Sequence, residues 1–308
     1  MSSRTPIPPS LGERFSVAHA QRLGIGTQRL RSRDLAAPFP GVRRRAEVLE
    51  PSDLRARCLD YAPRLRPGQF FSHETALLLL GVPLPPFPYQ PSIHIATHRP
   101  AREPRVRGVI GHRLQLREPA TVTTIDGLPV EHPVRAWRQA GADWPLDALI
   151  AAADHLVHVG NGLATIDDLR DEADVMGDRR DGILRRALAW TRVGVESPRE
   201  TALRLAIVRS GLPEPVPGWE LRDGRRRFVA RLDLAYPRWR IATEYDGRQH
   251  AEDPAQFARD ADRWDAVRRE GWTLVRVLSH HMGGRAEIAT GRVREALIDA
   301  GWRPGMSG

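Results

Sequence analysis

The chain of 308 residues is long enough for two or three domains, each with its own hydrophobic core. Its hydrophobic share of 41% and charged share of 28% are typical of a globular protein, and its longest apolar run, residues 76–82, is too short to cross a membrane. The formal net charge of +9 comes from 47 arginines and no lysine and is concentrated in residues 1–150, which favours an anionic partner such as nucleic acid.

Residues 1–13 are rich in proline and serine and are predicted to be disordered. They contain no apolar segment typical of a secretory signal. The single cysteine, Cys58, excludes an internal disulfide framework and is consistent with a reducing compartment. A cytoplasmic location is therefore expected.

Residues 14–50 are predicted to form a winged helix-turn-helix. An apolar pattern over residues 17–23 marks a short helix, Thr27 can cap a second helix, and residues 41–48 resemble a basic strand. In that arrangement the second helix enters the major groove of DNA and the strand contacts phosphates. The arginines expected to meet DNA are Arg29, Arg31, Arg33, Arg43, Arg44 and Arg45. An ordinary solvated basic surface is the alternative.

Residues 51–176 are predicted to form a small α+β domain. Helices are expected over 54–61, after Ser72, over 147–159 and over 165–173, and short strands over 93–95, 106–110 and 122–125. No metal-ligand spacing links the histidines of this region, which are His73, His94, His98, His112 and His132. Structural or surface roles are therefore expected for them. The absence of P-loop, GxSxG and CxxC motifs argues against NTPase, α/β-hydrolase and zinc-finger functions.

Residues 177–195 are predicted to be a linker followed by a helix. At Ser197 the motif Ser-Pro-Arg-Glu is a capping box with proline at the first helical position, which gives Glu200 a structural role. Glu200 also begins a helical stripe with Leu203 and Ile207, so it could instead face the acidic residues of the strands that follow. A proline-rich connection is expected between this helix and those strands.

Two β-strands joined by a tight Tyr-Pro-Arg-Trp corner come next. Asp233 is predicted to stand opposite a row formed by Leu232 and Leu234, and Glu244 and Asp246 share one face of the second strand. Neighbouring strands can therefore direct three carboxylates into one small volume. Because like charges repel unless a cation joins them, and because Mg²⁺ prefers oxygen ligands, the pattern predicts a Mg²⁺ or Mn²⁺ site. Such a site could support phosphodiester hydrolysis.

A helix over 254–270 and an apolar strand over 272–278 complete the order helix, strand, strand, helix, strand. This order predicts a small mixed α/β sheet with helices packed against it.

The motifs ESPRETALRLAIVRSGLPEP, RLDLAYP, ATEYDGRQH and RDADRWDAVRREGWTLVRV lie within residues 196–280. This segment resembles a domain-of-unknown-function family related to very-short-patch-repair endonucleases, a branch of the PD-(D/E)XK nuclease fold. The resemblance implies a restriction-endonuclease-like domain over 196–308, with a mixed sheet flanked by helices and a metal held by carboxylates.

Residue by residue, the resemblance makes Asp233 and Glu244 the metal ligands and Glu200 the first-helix glutamate. Asp246 stands where the wider superfamily has a lysine, which would orient water and balance charge. Gln249 or His250 could partly substitute for that lysine.

The motifs GVRRR, FFSHETALLLLGVPLP and GLPVEHPVRAW occur in the N-terminal half. This half is similar to the winged-helix and following region of AbiEi-type antitoxins of type IV toxin–antitoxin systems. Such halves often accompany the nuclease-like domain in actinobacterial proteins. The resemblance implies a DNA-binding module.

Two functions are consistent with the sequence, and a third interpretation keeps the acidic cluster as a structural network with no nucleic-acid role. The first is a metal-dependent DNA endonuclease with an N-terminal DNA-binding module, in which Asp233, Glu244, Asp246 and Glu200 carry the chemistry with Mg²⁺ or Mn²⁺. The second is an antitoxin-like DNA-binding regulator that keeps an inactive nuclease fold. Neither needs a membrane or a small-molecule cofactor, and homo-oligomerisation is left open.

Overall fold

The computed structural model describes residues 6–47, 53–86, 88–124, 126–246, 254–284 and 286–306, and for 254–261 it describes the backbone alone. The chain divides into two compact units, Met1–Ala140 and Gly141–Gly308. Both are mixed α/β, as the sequence predicts. Within the described ranges, no helix combines the length and the apolarity needed to cross a membrane.

The first unit contains two sheets. Its helices are α1 (Val17–Arg22), α2 (Leu54–Tyr61), α3 (His73–Leu79) and α4 (Pro133–Ala140). Its strands are β1 (Arg14–Ser16), β2 (Leu35–Ala36), β3 (Val42–Arg45), β4 (Gln69–Phe71), β5 (Ile93–His98), β6 (Val109–Leu114), β7 (Val122–Thr123) and β8 (Pro129–Val130). One sheet has the order β1-β3-β2 and is antiparallel, and the other has the order β6-β5-β4-β8-β7 with parallel β5/β6 and β4/β8 pairs.

The N-terminal segment differs from the predicted winged helix-turn-helix. The expected second helix is a single 3-10 turn, Arg29–Arg31, because Ser32 is already extended and its hydroxyl accepts from the Arg29 guanidinium and donates to the Arg29 carbonyl. Such local side-chain bonds compete with helix propagation. Residues 6–13 are also ordered, since Ile7 and Leu11 are buried in the same small core as Phe15.

The second unit is a four-stranded sheet with helices. Its helices are α5 (Leu146–Val157), α6 (Ile166–Val175), α7 (Ile183–Trp190), α8 (Pro198–Arg209), α9 (Pro254–Arg269) and α10 (Glu287–Asp299). Its strands are β9 (Val216–Arg222), β10 (Phe228–Tyr236), β11 (Ile241–Asp246) and β12 (Thr273–Leu278), in the order β12-β11-β10-β9. The β11/β12 pair is parallel and the others are antiparallel, so the sheet is mixed, as predicted.

Two elements of this unit have no predicted counterpart. β9 occupies the segment expected to be a proline-rich connection, and α10 follows the last predicted strand. α10 nevertheless supplies Val293 and Leu297 to the core formed with α8 and the sheet. The sheet is therefore one strand wider than the sequence indicates.

The predicted leucine row of β10 is interrupted at Asp233. Leu232 packs in a cluster with Val267 of α9, whereas Leu234 packs with Leu203 of α8. The backbone ladder between β10 and β11 begins only at Leu234, opposite Thr243. The side chains of β10 therefore switch from one face of the sheet to the other at Asp233, where the ladder with β11 ends.

A buried ion pair ties α5 to α8. The guanidinium of Arg204, which is 0% exposed, donates to Asp154 Oδ2 at 3.1 Å, to Glu214 Oε1 at 3.1 Å and to the Trp190 carbonyl at 2.7 Å. Asp154 also accepts the Thr201 hydroxyl at 2.8 Å. Because a buried guanidinium must be paired, this network links α5, the end of α7 and α8 within the second unit.

Replacing Asp154 by alanine should lower the free energy of unfolding by about 3–5 kcal/mol, because the Arg204 charge would lose a buried partner. Urea denaturation at neutral pH measures the loss. Asp147→Ala is the matched control, since Asp147 lies on the same helix and pairs with Arg209 of α8 at 2.6 Å, but on the surface. Its cost should stay below about 1 kcal/mol. If the two variants lost the same free energy of unfolding, the buried Arg204–Asp154 pair would contribute no more to stability than an exposed ion pair.

Candidate active site

Asp233 and Glu244 face each other where β10 and β11 part. The backbone N–H of Asp233 donates to Glu244 Oε1 at 3.1 Å, and the backbone N–H of Tyr245 donates to Asp233 Oδ2 at 3.0 Å. Each carboxyl group thus takes the place of a ladder bond and satisfies the backbone of the opposite strand. This reciprocal pairing brings the two carboxyl groups together, as predicted for Asp233 and Glu244, although the alternation of β10 is interrupted at Asp233.

Glu200 approaches the pair from the first turn of α8. Ser197 caps this helix by accepting from the Glu200 N–H at 3.2 Å, and Glu200 Oε2 accepts the N–H of Glu196 at 2.9 Å. Ser197 is therefore the predicted cap, but the capping box differs in one bond, because Glu200 accepts from the N–H of Glu196 rather than from that of Ser197. The side chain remains buried and lines the same cavity as Asp233.

The cavity has a volume of about 310 Å³. Glu196, Glu200, Asp233, Arg231 and Arg263 supply its polar wall. Another part of the wall is backbone, because Gly218 of β9 lies against the Gly194 loop. A Cβ at residue 218 would stand 2.5 Å from the Gly194 carbonyl oxygen, and Gly218 has φ +61°, so only glycine is accommodated there.

Burial controls the charges of the site. Burial, followed by the charge of Asp233, raises the pKa of Glu200 to about 7. Burial and then the charge of Asp233 also raise the pKa of Glu244, and burial raises the pKa of Asp233 itself. Without a further cation the cluster therefore holds protons at pH values where free carboxyl groups have lost them.

Arg263 of α9 is the cation nearest to this pair among the residues lining the cavity. Its Nη2 lies 3.5 Å from Glu244 Oε2 and donates to the Arg231 carbonyl, and its guanidinium lies over the Trp264 ring. The positive charge of Arg263 opposes part of the rise in pKa that burial causes at Glu244 and Asp233. No local pattern marks Arg263, which is one of several arginines on the helix predicted over 254–270.

Asp246 shares the strand face of Glu244 but points elsewhere. Its carboxylate bonds the Arg276 guanidinium of β12, and it does not line the cavity. Asp246 lies two residues further along β11 than Glu244, a distance of about 6–7 Å, which brings it to Arg276 rather than to Asp233. Gln249 and His250, the predicted accessory residues, lie outside the described residues.

The predicted DNA-binding arginines of the segment 29–33 differ in exposure. Arg31 and Arg33 are exposed. Arg29 instead forms a two-pronged pair with Asp34, at 2.8 and 3.0 Å.

The strand arginines serve the fold. Arg44 is 3% exposed and bonds Asp60, Arg43 donates to the Leu30 carbonyl, and Arg45 donates to the carbonyls of Ile7, Pro8 and Gly12. The prediction that Arg44 contacts DNA phosphates is therefore wrong, because its guanidinium is buried in an ion pair with Asp60.

A second cluster joins residues that are far apart in the sequence. One ring nitrogen each of His73, His94 and His112 lies within 4.8 Å of the others. These three histidines are therefore clustered in space although they are scattered in the sequence, and the expectation of structural or surface roles for them stays a prediction. Their spacing carries no motif because the strand pairing, in which Ala96 is opposite His112, brings them together.

Comparisons with known proteins reach only part of the chain. No protein-family profile matches it. Two Mycobacterium tuberculosis proteins, uncharacterized protein MT2308 of strain CDC 1551 / Oshkosh and uncharacterized protein Rv2248 of strain ATCC 25618 / H37Rv, are each 34% identical over 83 residues. That match covers 27% of this chain and 30% of the length of each relative. The crystal structure of the RV2827C protein from M. tuberculosis matches with a TM-score of 0.39 and 16% identity, over 61% of this chain and 78% of that one.

The raised pKa of Glu200 predicts a pH dependence of stability. Between the unfolded value of 4.5 and the folded value of about 7 the native state binds more protons, so the free energy of unfolding falls as pH rises through this window. The loss is on the order of 3 kcal/mol and is complete above about pH 7.

Urea denaturation in a chelator at several pH values tests this. Glu200→Gln should make the slope shallower by the share of Glu200, while the raised pKa values of Glu244 and Asp233 keep the rest of it. Glu220→Gln, on exposed β9, is the control and should keep the wild-type slope. An unchanged slope in Glu200→Gln would show that Glu200 ionises normally.

Proposed function

We propose that the protein is a Mg²⁺- or Mn²⁺-dependent DNA endonuclease whose active site is the cavity of the second unit. The observation that carries the proposal is the Asp233–Glu244 pair, held by reciprocal backbone bonds beside Glu200 and Arg263. Asp233 lines the cavity, and Glu244 lies beside it, bonded to the Asp233 backbone. Carboxylates held on rigid strands next to a polar cavity are what a hard divalent cation requires. The motifs of residues 196–280 support the same class of site.

The donor set is suited to such a cation. Asp233 and Glu244 each commit one carboxylate oxygen to a backbone N–H, so their second oxygens would hold the ion. Burial leaves this pair with protons that ligation must release, since a ligating carboxylate is ionised. A bound Mg²⁺ or Mn²⁺ would supply Lewis-acid activation of water and of the phosphodiester.

The surrounding side chains have separate roles in this proposal. Arg263 balances the acidic pair, and its planar guanidinium would donate two parallel hydrogen bonds to the oxygens of a phosphate. Glu200, with a pKa of about 7, is suited to hold or accept a proton near neutral pH. Asp246 is assigned no contact with the reacting atoms, because its carboxylate is on Arg276.

DNA is the proposed substrate because residues 1–150 hold 21 arginines against 13 acidic residues. Arg31 and Arg33 are the members of the predicted set that remain exposed on the surface. They would bind the phosphate backbone and position the duplex without reading its sequence.

The second candidate is a DNA-binding regulator with an inactive nuclease fold. It is favoured by one observation. Asp233 and Glu244 each accept a backbone N–H of the opposite strand, and this structural role explains both residues without catalysis. Since the chain has no lysine, the charge balance of an active site would also rest on arginine. Metal binding and turnover separate the two candidates.

With Mn²⁺ at about a hundredfold excess over its dissociation constant, the native state should gain about 2.7 kcal/mol, seen as a higher melting temperature. The same protein should nick supercoiled plasmid. Asp233→Asn should abolish the nicking and the part of the thermal shift that this site contributes. Glu220→Gln should retain both. If wild type binds DNA but neither nicks it nor responds to the metal, the regulator is the better description.

Arg31→Ala with Arg33→Ala should weaken DNA binding equally for all sequences and reduce the slope of log affinity against log salt by about 2. Fluorescence anisotropy at several salt concentrations measures this slope. Arg170→Ala with Arg186→Ala removes the same charge from exposed positions of the second unit and should leave the slope nearly unchanged. Equal effects of the two double variants would mean that only net charge matters.

A further inference from the structure

Three histidines of the first unit converge from three elements. His73 is the first residue of α3, His94 lies on β5 and His112 lies on β6. His94 Nδ1 is 2.9 Å from His112 Nε2, and a ring nitrogen of His73 completes a set within 4.8 Å. All three rings are partly buried, so the site is shielded but reachable from solvent.

A buried carboxylate orients the central histidine. Glu74 is 5% exposed and accepts the Tyr89 hydroxyl and the Ser92 N–H, the latter at 2.8 Å. Its Oε1 lies 3.5 Å from His94 Nε2. A carboxylate on one ring nitrogen directs the other nitrogen outward as a donor to metal, an arrangement that recurs behind metal-binding histidines. Here that other nitrogen is His94 Nδ1, which faces His112.

The third histidine is held in an unusual conformation. His73 has φ +53°, in the left-handed region that non-glycine residues avoid. Its backbone N–H donates to Gln139 Oε1 at 3.0 Å, and its ring Nδ1 lies 3.0 Å from the hydroxyl of buried Ser72. Ser72 could cap α3 but has no side-chain cap bond, so its hydroxyl is used on the histidine ring instead.

The ring positions are close to those of ligands on one ion. Three imidazoles on a tetrahedral ion have ring centroids ~5 Å apart, given metal–nitrogen bonds of ~2.0–2.1 Å. His94 lies 5.0 Å from His112 and 5.2 Å from His73 by this measure, with rings tilted by 17° and 37°. His73 and His112 are stacked with their ring centroids 3.7 Å apart. The His73 ring would therefore have to turn out of the stack and move by more than ~1 Å before both nitrogens could reach one ion.

We propose that His73, His94 and His112 bind a divalent transition-metal ion of the Zn²⁺ class. Nitrogen ligands select such an ion over Mg²⁺ or Ca²⁺, which prefer oxygen. Three protein ligands leave one tetrahedral position for water or another ligand. The site cross-links α3, β5 and β6 and is separate from the carboxylate cavity of the second unit.

Zinc titration of the full chain tests the proposal, monitored by calorimetry and by the visible spectrum of a Co²⁺-substituted sample. The Asp233→Asn background removes ion binding at the carboxylate cavity. One equivalent of Zn²⁺ per chain is expected, with tetrahedral Co²⁺ bands. His94→Ala and His112→Gln should each lower the affinity by at least about a hundredfold. His98→Ala is the matched control on the same strand and should bind as wild type does.

Glu74→Gln tests the orienting carboxylate, because it keeps an acceptor for Ser92 but removes the charge behind His94. It should weaken Zn²⁺ binding by about 10–100-fold while the ion is still bound. The proposal is overturned if wild type takes up no Zn²⁺ at micromolar concentration. It is equally overturned if the His94 and His112 variants, shown to be folded by circular dichroism, bind like the His98 variant.

Discussion

Electrostatic repulsion between two carboxyl groups, the buried Glu244 and the partly buried Asp233, is the main constraint on the acidic cluster of the second unit. Asp233 and Glu244 lie too close together, in a medium too poor in water, for both to be ionised without compensation. Protons, the guanidinium of Arg263 and the backbone N–H groups of the opposite strands supply that compensation. The two side chains bond the backbone where β10 and β11 part, and α8 and α9 bring Glu200 and Arg263 beside them.

The arginine-only composition makes net charge a poor guide to the surface. Arg44 is buried on Asp60, Arg45 bonds backbone carbonyls, and Arg204 lies in the core. A guanidinium has five N–H donors and can therefore replace both an ion-pair partner and several hydrogen-bond donors. Many positive charges of this chain hold its own backbone together. Only the remainder, among them Arg31 and Arg33, is presented to solvent.

The sequence predicts elements whose signals are local. The strands and turn around Asp233 follow from alternation and from the Tyr-Pro-Arg-Trp corner, and the helix after Ser197 follows from its cap. β9 is hidden because Pro217 and Gly218 resemble a loop, although Gly218 is there for close backbone packing. Arg263 and the three histidines depend on strand pairing and helix packing between distant segments. No spacing along the chain encodes such meetings.

The buried charge of Arg204 has a consequence for how this architecture can be recombined. The motif-bearing segment begins at residue 196, yet Asp154 and the Trp190 carbonyl that hold the guanidinium lie before it. A gene fusion that took only residues 196–308 would inherit the positive charge without these partners. Functional exchange of the carboxylate cavity between proteins should therefore carry α5 with it. Junctions between exchanged modules are expected upstream of residue 146, where the chain passes from one unit to the other.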